Sequence, residues 1–208
     1  MEEKIIMPKL NFIRGNLPHE HLLIESWHKC WYDPKEDIGS VLLWIDNTAR
    51  LAFVLWNHYA LKKMGKYEET LLGAYIGTRA NHSNHSMSEI RMMFNLADTE
   101  KLRAAGEPIP EQESFTLYRG VSGRTCKRRV NGFSWTESPN TAAWFAMRYN
   151  LENPAVFMVT VSRDSILARC TDRKESEYLL KLPLSMKPKR LKIMPEAYLP
   201  RDKEKPAL

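Results

Sequence analysis

Glu175-Ser176-Glu177 runs directly into the apolar stretch Tyr178-Leu179-Leu180. The segment reads as the start of a strand, where residues i and i+2 project to one face, so the two carboxylates point the same way. Upstream, Phe115-Thr116-Leu117-Tyr118-Arg119-Gly120 is a second extended run that ends in an arginine and a glycine. Between the two lies Gly132-Phe133-Ser134-Trp135-Thr136. An arginine, a serine-bearing strand and paired glutamates, in that order, are what the chain offers as chemistry. An ionised carboxylate can stabilise positive charge that appears only in a transition state. Arginine's planar fork grips phosphate oxygens in two places. Gly120 lets the backbone approach a ligand closely. A second carboxylate two residues earlier can accept a proton from an incoming nucleophile or pair with a guanidinium. The same residues also admit a plain reading: solvated glutamates on an edge strand, an arginine in a structural bridge and a serine that only lies in a strand.

The elements that must position these groups change character along the chain. Apolar residues from Ile38 to Ala60 recur at helical spacing and predict one helix, buried on most sides. Further helices are expected over Glu68–Ile76 and Ser88–Leu96, with Ser88 as the N-cap. Residues 77–86 are polar and aperiodic and read as a loop, and Gly106-Glu107-Pro108-Ile109-Pro110 breaks the chain. After Pro110 short β-prone runs follow, at Phe115–Tyr118, Gly132–Thr136, Ala155–Ser162, Ile166–Ala168, Tyr178–Leu182 and Leu191–Ile193. Both faces of Ala155–Ser162 are largely apolar, which predicts a central strand. One helix interrupts the strands, capped by Ser138 with Pro139 at its first position. The expected fold class is α+β, a helical N-terminal region over residues 1–110, a β-rich core over 111–195 and a basic tail over 196–208, together one compact domain.

Composition narrows the function classes. The chain has 208 residues, 43% of them hydrophobic, enough to bury a core. Three widely spaced cysteines, Cys30, Cys126 and Cys170, argue against a disulfide framework or a cysteine-rich zinc site. His82 and His85, three apart, lack acidic or cysteine neighbours, so no metal site is expected. The longest apolar stretch, Val41–Trp56, is interrupted by Asp46, Asn47 and Arg50, and the N-terminus lacks a secretory pattern, so a cytoplasmic protein without membrane association is expected. The net charge of +6 suits a polyanionic partner, and part of it is clustered at Arg124, Lys127, Arg128 and Arg129.

The ordered set Tyr118-Arg119-Gly120, then Gly132-Phe133-Ser134-Trp135-Thr136 leading into a helix with Ala143-Trp144-Phe145-Ala146, then Glu175-Ser176-Glu177-Tyr178-Leu179-Leu180, resembles the arginine–serine–glutamate class of mono-ADP-ribosyltransferases. This class holds bacterial ADP-ribosylating toxins and phage enzymes that modify host components. The resemblance covers roughly residues 112–195. It implies an NAD-binding split β-sandwich, with NAD as substrate. Carried over by position, Arg119 holds an NAD phosphate with Gly120 beside it. Ser134, with Trp135 and Thr136, lines the nicotinamide pocket, and Ser134 orients the catalytic glutamate. Glu177 bonds the nicotinamide-ribose 2′-hydroxyl, and Glu175 faces the acceptor. The turn before it, Cys170 to Lys174, recognises the acceptor. The middle motif departs from the class, which usually has Ser-Thr-Ser where this chain has Ser-Trp-Thr.

The expected activity is transfer of ADP-ribose from NAD to a macromolecule. Paired glutamates point to a protein arginine, the basic balance points to RNA or DNA, and the sequence leaves both open. A toxin-like or phage-type enzyme fits by analogy, with an antitoxin or inhibitor docking on the N-terminal helices. Two other readings stand beside it: an NAD glycohydrolase with water as acceptor, and a basic nucleic-acid-binding module that uses Trp27, Trp31, Trp44 and Trp56.

Overall fold

Helices occupy the first part of the chain and strands the second. The computed structural model describes residue 7 and residues 10–11, 19–77, 85–124, 130–171 and 176–192. It divides into two units, Met1–Ala105 and Gly106–Leu208. The boundary falls just ahead of the Gly106–Pro110 break.

The first unit holds α1 (Glu20–Tyr32), α2 (Gly39–Leu42), α3 (Arg50–Lys63), α4 (Tyr67–Gly77), α5 (Met87–Leu96) and α6 (Thr99–Ala104). Trp27, Phe53, Leu51, Leu61, Tyr67 and Leu71 form its interior, and the rings of Trp27 and Phe53 meet edge to face at 5.8 Å. The single helix expected over Ile38–Ala60 is two helices. Asp46 breaks it: its carboxylate accepts from the backbone N–H and the hydroxyl of Thr48, at 2.8 and 2.5 Å. That local turn competes with helical hydrogen bonding, and apolar spacing does not register it. The cap of α5 is Ser86 rather than Ser88. Ser86 Oγ accepts from Glu89 N at 3.2 Å, and Glu89 Oε2 accepts from Ser86 N at 2.7 Å, a reciprocal capping box.

Among the described residues of the second unit six strands form one sheet: β1 (Ser114–Val121), β2 (Ser134–Thr136), β3 (Ala155–Ser162), β4 (Ile166–Cys170), β5 (Glu177–Leu180) and β6 (Lys189–Arg190). Their order is β4-β5-β2-β1-β3-β6, and every pairing is antiparallel. The architecture is therefore α+β, helices plus an antiparallel sheet. Helix α7 (Pro139–Met147) joins β2 to β3. Its start is as the sequence predicts: Ser138 Oγ accepts from Thr141 N at 3.1 Å, and Pro139 takes the first turn, where its missing N–H costs nothing.

The two faces of the sheet differ. One carries Phe115, Leu117, Trp135, Val159, Val161, Tyr178 and Leu180, which pack into a single buried cluster. On the other face α7 lies against β1 and β3, with Ala142, Ala143 and Val156 buried together. Its backbone comes so close that an added Cβ on Gly120 would sit 1.7 Å from the carbonyl oxygen of Ala142. Strand β3 is interior, as its composition predicts: it pairs with β1 along its whole length and with β6 at Phe157 and Met158. Its far end is less covered, with Thr160 and Ser162 exposed.

Candidate functional site

Three short segments far apart in sequence become adjacent strands, β5, β2 and β1. Glu177 opens β5 and stands directly across from Thr136 of β2, which stands directly across from Tyr118 of β1. Facing residues in an antiparallel pair share a face, as do residues two apart in one strand. Glu177, Thr136 and Ser134 therefore share one face, with Leu179 opposite Ser134. Strand β2 is only three residues long, and its pairing with β5 continues through Leu180 N to Phe133 O at 2.9 Å. Glu177 and Ser134 are both half-buried. Glu175 lies outside the described residues, as do Cys126, Lys127–Arg129, His82 and residues 172–174 of the expected acceptor turn.

Arg119 takes the other face. The register places it beside Trp135 and directly across from Phe157. It is half-buried at the rim of the apolar cluster, one residue past Tyr118. Its Nη1 donates to the carbonyl oxygen of Ser134. Its guanidinium also rests on Gly132, where an added Cβ would meet Nη2 at 2.3 Å. Gly132 is thus the seat of the arginine, a role that its place ahead of a β-prone run does not announce. Gly120 answers to α7, whose backbone fills the space beside its Cα, which is a packing reason for the glycine that the sequence reading does not contain.

Trp135 and Thr136 are buried. Trp135 has 2% of its surface exposed, and its indole N–H donates to Gly132 O at 3.0 Å. The ring belongs to the core and holds the turn that seats Arg119. Thr136 Oγ1 accepts from Ser138 N at 3.2 Å, a tight turn that delivers the chain into α7. Trp144 and Phe145 are half-buried, their rings edge to face at 5.1 Å, and Arg148 lies over both.

One group that the sequence reading did not single out stands directly behind the carboxylate. Tyr178 is fully buried, and its hydroxyl donates to Glu137 Oε1. Burial, and then the bond to the Glu137 carboxylate and its charge, push the phenol up to about 12, while nearby Arg169 pulls the other way. The bond ties β5, at the residue after Glu177, to the end of β2. The signal available in sequence is a tyrosine inside an apolar strand, whose hydroxyl needs a partner when buried.

Chemically the site offers a carboxylate and a hydroxyl on one face, and a guanidinium at the rim of the other that donates to the Ser134 carbonyl. Among the described residues, no group of three or more His, Cys, Asp or Glu side chains could hold a metal ion, and no helix is long and apolar enough to cross a membrane. No protein-family model matches the chain, and neither does any curated protein or solved structure.

Proposed function

We propose that this chain is an NAD-dependent mono-ADP-ribosyltransferase that transfers ADP-ribose to a macromolecular acceptor. The observation that carries this reading is the strand order β5-β2-β1, with Glu177 facing Thr136 two residues from Ser134. Motifs that are ordered in sequence need not meet in space, and here they lie on neighbouring strands. The donor set suits a dinucleotide: a cation for phosphate, and a hydroxyl and a carboxylate for sugar hydroxyls. NAD supplies a glycosidic bond whose cleavage leaves positive charge on the ribose. Glu177 stabilises that charge and accepts a hydrogen bond from the ribose hydroxyl beside it. Ser134, diagonal to Glu177 on the same face, orients the carboxylate. Arg119 holds phosphate oxygens from the opposite face of the sheet, its Nη1 bonded to the carbonyl oxygen of Ser134, whose side chain shares the face of Glu177. Glu175 serves the acceptor.

The acceptor is a nucleic acid or a protein arginine. Radiolabelled NAD incubated with the protein and a cell lysate, followed by nuclease or protease, separates the two by which treatment releases the label. Nicotinamide release with no labelled macromolecule in any lysate would replace transfer by hydrolysis.

A further inference from the structure

The strand registers place three arginines and three aromatic residues in one row across the whole sheet. Arg169 faces Tyr178, Tyr178 faces Trp135, Trp135 neighbours Arg119, Arg119 faces Phe157, and Phe157 faces Arg190. All six belong to the same pleat face. The two ends of the row differ. Arg169 is half-buried, donates to Pro108 O at 3.0 Å and lies over the Tyr178 ring at 5.9 Å, so it serves the fold. Arg190 is exposed on the two-residue edge strand β6, which Leu191 N fastens to Val156 O at 2.9 Å. Among the described residues Arg190 forms no ion pair. From Tyr178 to Lys192 the chain carries no acidic residue, while Lys181, Lys187, Lys189, Arg190 and Lys192 are all exposed. Nothing on its own segment neutralises Arg190.

We infer that Arg190 is a second phosphate-binding residue, and that with Arg119 across Phe157 it forms a two-arginine clamp for the pyrophosphate of a dinucleotide. The inference rests on the reading of the protein as NAD-using and adds a residue to it. Two strand spacings separate the Cα atoms of Arg119 and Arg190, about 10 Å. The Arg119 guanidinium is held from the β2 side by Ser134 O and Gly132 and keeps further N–H donors for phosphate, while the exposed Arg190 stands on a flexible three-methylene stem and closes from the β6 side. Pyrophosphate offers one negative charge per phosphate, one for each arginine, and Arg–phosphate pairing is charge-assisted and often bidentate. Lys189, one residue earlier, takes the opposite face with Met158 and does not join the clamp. The phosphodiester backbone of a nucleic acid carries the same chemistry, and the test separates the two.

Binding is measured by calorimetry with NAD and, separately, with a short single-stranded RNA. The proteins are wild type, Arg190→Ala and Arg190→Lys. The clamp predicts that Arg190→Ala weakens NAD binding about tenfold or more, the loss of one charge-assisted contact. Arg190→Lys recovers part of the affinity. Thermal melts of the Arg190 variants should overlay that of wild type, since the side chain is exposed. Wild-type NAD affinity in Arg190→Ala overturns the clamp and leaves the proposed function standing. Unchanged NAD affinity with weakened RNA binding also overturns it, and assigns the arginine to an acceptor backbone. No NAD binding by the wild-type protein overturns both readings.

Discussion

Gly120→Ala tests the packing that carries the arginine-bearing strand. An added Cβ would lie 1.7 Å from Ala142 O and 2.7 Å from both Ala142 C and Ala146 N. All three are backbone atoms, so no side chain can swing aside. Ordinary contact begins at 3.4 Å, which requires α7 to rise from the sheet by about 1.7 Å. Ala142, Ala143 and Ala146 are fully buried beneath the helix and would lose their fit. Overpacking costs about 1–3 kcal/mol in general, and a backbone clash with a whole helix belongs at the upper end, about 3 kcal/mol. For a chain of this size each kcal/mol moves the melting temperature by about 2–4 °C, so the midpoint should fall by about 6–12 °C. Circular dichroism melts and urea titrations of Gly120→Ala and wild type measure this directly, the urea slope showing whether the unfolding transition itself is unchanged. A loss below about 0.5 kcal/mol, the range of ordinary surface substitutions, would refute the close approach of α7.

Other expectations follow from the same geometry. Gly73→Ala, inside α4 with nothing nearer than Leu42 Cδ1 at 3.5 Å, should stabilise the protein by about 0.5–1 kcal/mol in urea, because alanine is the better helix former. Gly132→Ala should leave the melting temperature nearly unchanged, because the clashing atoms end a flexible side chain, yet raise KM for NAD by dislodging Arg119. A KM equal to wild type would separate Arg119 from NAD binding. Tyr178 has a folded value of about 12, above its unfolded value of about 10. Its contribution is therefore whole below pH about 10 and is lost as pH rises through about 12. Denaturant melts of Tyr178→Phe between those limits should show a shallower loss of stability than wild type, and equal slopes would contradict the buried phenol.

Much of the second unit is legible in the sequence. The boundaries of β3 coincide with an uninterrupted β-prone run, and Ser138-Pro139 announces α7 through residues whose chemistry is local. The helix expected over Ile38–Ala60 fails at Asp46, because apolar spacing continues through a turn that one carboxylate closes. Periodicity reports burial and is blind to such side-chain hydrogen bonds. The order β5-β2-β1 is not legible, since pairing between segments forty residues apart depends on tertiary packing. Nor is the face on which Arg119 lies, which the register with Phe157 decides. Gly120 is visible as a glycine beside an arginine, but its cause, the backbone of α7, lies more than twenty residues downstream. Tyr178 and Glu137 are likewise joined only by the pairing of β2 with β5.

Glu177 is proposed to drive the transfer of ADP-ribose. The direct measurement is label transferred from radiolabelled NAD to lysate macromolecules by wild type and by Glu177→Gln, which keeps a hydrogen bond and removes the charge. Macromolecular label is expected with wild type, and a loss of about 100-fold or more with Glu177→Gln. Equal labelling by the two proteins would contradict it.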